Sequence, residues 1–325
     1  MKLETVSRKQ PVFADLFLVP MAKVKLERAG LLTFGFGRLN NHSLQAKLSL
    51  LLRSRLQVLS SHPKDSENRQ RCQSACKRLK FGRICMMQKV AVVTGAAKGL
   101  GKAIALSLAL DGYIVAVHYR KSKADAQKVL DSILEKSPKS ILVSGDLTDE
   151  KQAEAALGQI YKKLGRIDLL VNNVGNFLYR EFSKTTNFEF RDIVESNVYS
   201  TLFCSRAVLP MMRKNKFGSI INIGAAGADR FIFRRHVVPY FMAKNGVYVL
   251  TKAMAQEESR YGIRINMVSP ASMRTDIFKK KDFPMGREVK YSDVAKAIKF
   301  LISKDAYYIN GANVEVAGAF IPGMK

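Results

Sequence analysis

The chain is short of cysteine, of long apolar runs and of acidic residues, and each shortage closes off a class of protein. Cys72, Cys76 and Cys85 fall in the first part and Cys204 alone in the second, so no disulfide framework is implied and a cytoplasmic, reducing setting is expected. No uninterrupted apolar run approaches a membrane span, so no integral membrane segment is expected. No zinc-ligand spacing, aromatic RNA-binding signature or recognition-helix pattern is present, so neither a metal site nor nucleic-acid binding is expected.

The scarcity of acid leaves a formal net charge of +27. Residues 1–86 hold 17 Lys and Arg against 5 Asp and Glu, and residues 87–325 hold 37 against 22. A field of this sign suits an anionic small molecule or an acidic protein partner. Within residues 1–86 one segment is periodic, Ser43 to Ser60, where Leu44, Leu48, Leu51, Leu52, Leu56 and Leu59 recur at helical spacing among Lys47, Arg53 and Arg55. This part is expected to be a poorly structured basic extension: a targeting segment, or translated leader ahead of Met86 and Met87.

What the sequence does contain begins at Val90. Four apolar residues ending at Val93 read as a buried parallel strand, Thr94, Gly95, Gly99 and Gly101 as a tight turn, and the residues to Leu106 as an apolar-periodic helix. A helix start offers unpaired N–H groups and the positive end of a dipole, and glycines let a pyrophosphate come close, so the stretch points to a dinucleotide. A second strand, Tyr113 to His118, ends at Arg120, where NAD-selecting proteins place an acid. Arg120, with Lys98 in the turn, instead suits the 2′-phosphate of NADP(H). The alternation continues with a helix from Ala124 to Lys136, a strand from Ser140 to Ser144, a helix to Leu164 and a strand from Ile167 to Val171. It predicts an α/β fold, a single Rossmann-type doubly wound parallel sheet with helices on both faces and ligands at the carboxyl ends of the strands.

Further on, Tyr240 and Lys244 lie four apart on a predicted helix and so project from one face. A neighbouring ammonium favours the phenolate and lowers the phenol pKa, which fits Tyr240 to give a proton to a carbonyl oxygen.

In order and spacing, residues 87–325 resemble the short-chain dehydrogenase/reductases, and among them the 3-oxoacyl-acyl-carrier-protein reductases of fatty acid biosynthesis. The run from Thr94 and Gly95 through Lys98 to Gly99, Leu100 and Gly101 is similar to the family's TGxxxGxG cofactor turn. Asn172 to Gly175 is similar to its NNAG, which implies cofactor contacts for Asn173 and Gly175. Asp146, followed by Leu147, matches the adenine pocket, and Pro270 lies in the segment that covers the nicotinamide. Tyr240 to Lys244 matches YxxxK, with Lys244 also holding the nicotinamide ribose, and Asn197 matches the relay asparagine that anchors a water. The resemblance implies an enzyme that uses NADPH to reduce a carbonyl on a small molecule or an acyl thioester. It also implies acyl carrier protein as a candidate partner, and a closing segment, Ala317 to Lys325, that joins subunits in a homotetramer or dimer.

The chain departs from that pattern in two loops. Ala225 stands where the family usually has a serine that binds the substrate oxygen, and Asp229 is the nearest replacement. This opens two alternatives: a reductase of a pterin or other ring using Asp229 or water, and a non-catalytic NADP-binding protein. The lid is short, with Asp276 to Phe283 between Thr275 and Pro284. Arg213, Lys214 and Lys216, and then Arg230, Arg234, Arg235 and His236, are expected to flank the mouth, either facing an acidic carrier or simply solvated. The last strands are expected at Ser219 to Ile223 and Ile309 to Val316, with a helix at Asp293 to Ile302.

Overall fold

Val90–Val93 forms β1 with all its side chains buried, because helices cover both faces of the sheet at its centre. The computed structural model describes residues 88–230, 235–273 and 278–320. The Ser43 to Ser60 segment, Arg234 and Thr275 lie outside the described residues.

From β1 the chain runs through α1 (Gly99–Leu110), β2 (Ile114–Tyr119), α2 (Lys123–Leu134), β3 (Ile141–Ser144), α3 (Glu150–Leu164) and β4 (Leu169–Asn172). It then crosses α4 (Asn187–Val194), a π-helical turn (Glu195–Tyr199) and α5 (Ser200–Asn215) to β5 (Gly218–Ile223). The last elements are α6 (Val238–Glu258), β6 (Ile263–Pro270), α7 (Tyr291–Ile302) and β7 (Asn313–Val316). The strands form one seven-stranded sheet, order β3-β2-β1-β4-β5-β6-β7, with every pairing parallel. The doubly wound sheet expected from the sequence is therefore present.

Alternate residues of the strands feed two cores. Ala91, Val93, Leu169, Val171 and Ile221 pack with α1 and α7 on one face, while Val90, Val92, Leu170 and Ile220 pack with α3 and α5 on the other. The order reverses between β1 and β4, the point at which a doubly wound sheet places its ligand crevice, beyond the strands' carboxyl ends. Among the described residues no helix is long and apolar enough to cross a membrane.

β7 is shorter than the run Ile309 to Val316 expected for it. Arg264 and Asn266 claim the Ile309 carbonyl, and Gly311 adopts φ +72°, a left-handed conformation that breaks the extended chain before Asn313.

Candidate active site

The glycine turn is tied to its neighbours by Thr94. Its hydroxyl accepts from the backbone N–H groups of Asn173 (2.8 Å) and Val174 (3.1 Å) and donates to the Val171 carbonyl (3.2 Å), joining the exits of β1 and β4. The Asn173 side chain donates back to the carbonyls of Thr94 and Gly95. Gly95 and Gly99 have φ of +61° and +53°, and a Cβ on Gly101 would collide with the Gly95 carbonyl. The turn delivers α1 with no side-chain cap at Lys98 and no acid in its first turn, which leaves its amides for an anion. These features fit the pyrophosphate of a dinucleotide.

The two cations read as selecting NADP sit beside this turn and are held by carboxylates. Lys98 pairs with Asp125 at 2.9 Å and Arg120 with Asp146 at 3.3 Å, all four side chains being substantially exposed. Exposed pairs of this kind contribute at most about 1 kcal/mol, so a phosphate can take either cation. Asp146 also accepts from the amide and hydroxyl of Thr148, and these bonds together with Arg120 keep its carboxyl below the usual range despite partial burial. Leu147 is buried beside it.

His118 plays a part that sequence reasoning missed. Its ring lies at the end of β2, 3% exposed, where Nδ1 accepts from the Gly95 N–H (3.2 Å) and Nε2 donates to the Gly145 carbonyl (3.1 Å). A single neutral tautomer satisfies both bonds, and burial pushes the pKa down to about 4. The visible signal was a polar residue closing an otherwise apolar strand.

At the same edge of the sheet, α6 presents Tyr240 and Lys244. Lys244 is buried, and its Nζ donates to the Ile223 carbonyl at the end of β5 (2.7 Å) while lying 5.6 Å from the Tyr240 ring centroid. Burial outweighs the expected lowering of the phenol by the ammonium: it pushes Tyr240 up to about 12 and Lys244 down to about 8. Phe177, from the loop after β4, sets its ring edge-on to Tyr240 at 5.0 Å, a contact sequence reasoning also missed.

Asn197 sits in the π-helical turn, which packs against α6. Its amide nitrogen donates to the carbonyls of Asn176 (3.0 Å) and Ile193 (2.9 Å), while its buried Oδ1 has no partner among the described residues. Gly175 lies so close to Asn197 that any Cβ there would clash, so the NNAG-like segment is moulded on this asparagine. Pro270 ends β6, and its carbonyl accepts from the Ala226 N–H (3.1 Å).

Ala225 is buried in an apolar cluster with Val237, Phe241 and Tyr240, so no hydroxyl stands at this position. Asp229 follows in a short turn, Ala228–Arg230, with a buried Oδ1 that has no hydrogen-bond partner among the described residues. Its neighbour Arg230 is engaged elsewhere, forking onto Glu315 of β7 at 2.7 and 2.8 Å, and the same carboxylate accepts from the Gly227 N–H (2.7 Å).

Of the basic residues expected at the mouth, those before β5 are not there. Arg213 makes a two-pronged ion pair with Glu258, and Lys214 and Lys216 lead into the amino end of β5, the edge away from Tyr240. A residue that precedes a parallel strand lies at the opposite end from the ligand. Arg230 is clamped by Glu315. The described remainder is Arg235 and His236, the latter stacked on Tyr179 at 5.1 Å with its carbonyl accepting from the Arg180 N–H. The described end of the lid is pinned by Phe278 and Phe283 against Phe320.

Comparison with known proteins agrees with this geometry. Residues 89–284 match the family model described as short chain dehydrogenase. The chain is similar to the 3-oxoacyl-[acyl-carrier-protein] reductase of Staphylococcus aureus, 32% identical over 246 residues that cover 71% of this chain and 98% of the relative. It is also 32% identical to an uncharacterized oxidoreductase of Methylorubrum extorquens, over 71% of this chain and 96% of the relative. A crystal structure of a protein described as a short-chain alcohol dehydrogenase from Sinorhizobium meliloti superposes with a TM-score of 0.67 at 27% identity, covering 71% of this chain and 96% of that one.

Proposed function

We propose that this chain, which belongs to the short chain dehydrogenase family, is an NADPH-dependent reductase that converts a carbonyl to an alcohol on a small molecule or an acyl thioester. The observation that carries the reading is the placement of half-buried Tyr240 and buried Lys244 on one face of α6, beside the end of β5 and at the same sheet edge as the glycine turn.

When bound, NADPH supplies the hydride to the carbonyl carbon. Thr94, Gly95, Gly99, Leu100 and Gly101 hold its pyrophosphate with the free amides of α1, Lys98 and Arg120 take the 2′-phosphate, and Asp146 and Leu147 border the adenine. Asn173, Gly175 and Pro270 line the nicotinamide side. Tyr240 starts as a neutral phenol, as a pKa of about 12 requires, and its hydroxyl proton passes to the substrate oxygen. The phenolate left behind is stabilised by the Lys244 ammonium and reprotonated through it and a water anchored at Asn197, whose free acceptor is available for this. With Ala225 offering no donor to the substrate oxygen, turnover is expected about 10² to 10³ below that of the same site with a serine.

The test is NADPH consumption by the full chain with a 3-oxoacyl thioester, a quinone and a dihydropterin. Tyr240→Phe should cut turnover by about 10² to 10⁴ while leaving NADPH binding intact. Turnover unchanged in that variant would refute the assignment. A second reading, reduction of a pterin or related ring, is favoured by the buried Oδ1 of Asp229, which makes no hydrogen bond among the described residues and has the Arg230 guanidinium 4.0 Å away. A preference for the dihydropterin that disappears in Asp229→Asn would select it. Acyl carrier protein as a partner, a homotetramer or dimer, and a cytoplasmic setting belong to this same reading.

A further inference from the structure

Two helices on one face of the sheet begin side by side at its carboxyl edge. α1 follows β1 and α7 follows β6, so both start beyond the carboxyl ends of parallel strands, and Leu100 and Ile104 of α1 share a core with Val294 and Ile298 of α7. This packing brings their first residues together: a Cβ built on Gly99 would lie 3.7 Å from the hydroxyl oxygen of Tyr291 and 4.0 Å from its Cζ. The reaction proposed for this chain makes no use of Tyr291.

The backbone around Tyr291 is fixed, while its hydroxyl is uncommitted. Val289, two residues earlier, is buried, and its N–H donates to the Ser272 carbonyl (3.2 Å). Asp293, two residues later, accepts from the Lys290 N–H (3.0 Å) and pairs with Arg287 (2.6 Å). The Tyr291 side chain is 43% exposed, and its hydroxyl makes no hydrogen bond among the described residues. Gly99 opens α1 without a side chain, Lys98 before it gives no side-chain cap, and the first turn holds no acid, so α1 itself has nothing that answers this hydroxyl.

The position of Tyr291 singles out one part of a dinucleotide. α1 lies between α2 and α7. On the α2 side, Lys98 reaches Asp125 of α2, and Arg120 at the end of β2 reaches Asp146, so the cations suited to a 2′-phosphate lie on that flank. On the α7 side, the bond from Val289 to Ser272 ties the start of α7 to the segment after Pro270, the flank of the nicotinamide. A pyrophosphate joins the two halves and crosses between these flanks over the start of α1. From the uncommitted hydroxyl and its approach to Gly99 we infer that Tyr291 is a further cofactor-binding residue, whose O–H donates to a pyrophosphate oxygen beside those held by the α1 amides, an assignment that rests on the dinucleotide reading of the glycine turn. A neutral donor there serves NADH and NADPH alike, because both carry the same pyrophosphate.

Fluorescence titration of the full chain with NADPH and with NADH, in wild type, Tyr291→Phe and Arg120→Gln, tests this. Tyr291→Phe keeps the ring and should weaken both dinucleotides by the same factor, about tenfold, as for one hydrogen bond to a charged oxygen. Arg120→Gln should weaken NADPH alone. The melting temperature of cofactor-free Tyr291→Phe should match that of wild type, because the hydroxyl bonds no described residue of the folded chain. Unchanged affinity in Tyr291→Phe, a loss confined to NADPH, or a loss accompanied by a lower melting temperature of the cofactor-free chain would overturn the assignment. Failure of the wild type to bind either dinucleotide would overturn the cofactor reading and this assignment with it.

Discussion

Lowering the pH from 7.5 to 5 should cost the chain stability through one residue, His118. Its ring accepts from the Gly95 amide through Nδ1 and donates to Gly145 through Nε2, so a second proton has no acceptor and would confront the Gly95 N–H. In the folded chain the pKa lies at about 4, against 6.5 for a free ring. Above pH ~6.5 the ring is neutral in both states and its contribution is whole. Below that, the unfolded chain takes up the proton first, and stability falls by about 2 kcal/mol at pH 5 and about 3 at pH 4. The assay is urea denaturation of wild type and His118→Asn at pH 7.5, 6 and 5. The difference in stability between them should shrink by about 2 kcal/mol over this range. NADPH affinity of the wild type should hold between pH 7.5 and 5, because the folded ring stays neutral down to about pH 4 and keeps the Gly95 amide in place. Equal pH dependence in the two proteins would refute the reasoning.

Gly101→Ala should abolish NADPH binding and cost at least about 2 kcal/mol, read by titration and thermal unfolding, because its Cβ would meet the Gly95 carbonyl. Reductive turnover should decline as pH rises through about 8, where the buried Lys244 gives up its proton and the phenolate of Tyr240 loses its stabilising charge. A rate profile flat from pH 6 to 10 would remove Lys244 from that role.

The strands were legible in the sequence because burial on both faces makes them near-continuous apolar runs, as in Val90–Val93, whereas the glycine turn, which alone could serve chain reversal, gained its meaning from the motifs that follow it. Helical spacing puts Tyr240 and Lys244 on one face, but such a pair arises often by chance and became a candidate site only beside the cofactor motifs. His118 was not, since its role exists only once β3 lies beside β2 and brings Gly145 within reach. Arg213 and Lys216 were misplaced because nearness in sequence to β5 was taken for nearness to its catalytic end. The boundary of β7 was hidden for a related reason: side chains on β6 compete for the Ile309 carbonyl, and no local pattern records them.

The fork between Arg230 and Glu315 ties the edge strand to the turn that carries Asp229. Glu315 stands 88 residues beyond Gly227, yet it holds both Gly227 and Arg230 and so sets where Asp229 stands. Damage near the carboxyl end, such as Glu315→Ala or a truncation that frees β7, would therefore present as a kinetic defect at the opposite end of the catalytic segment's sequence. Whatever locks or releases that last strand becomes a remote handle on the pocket.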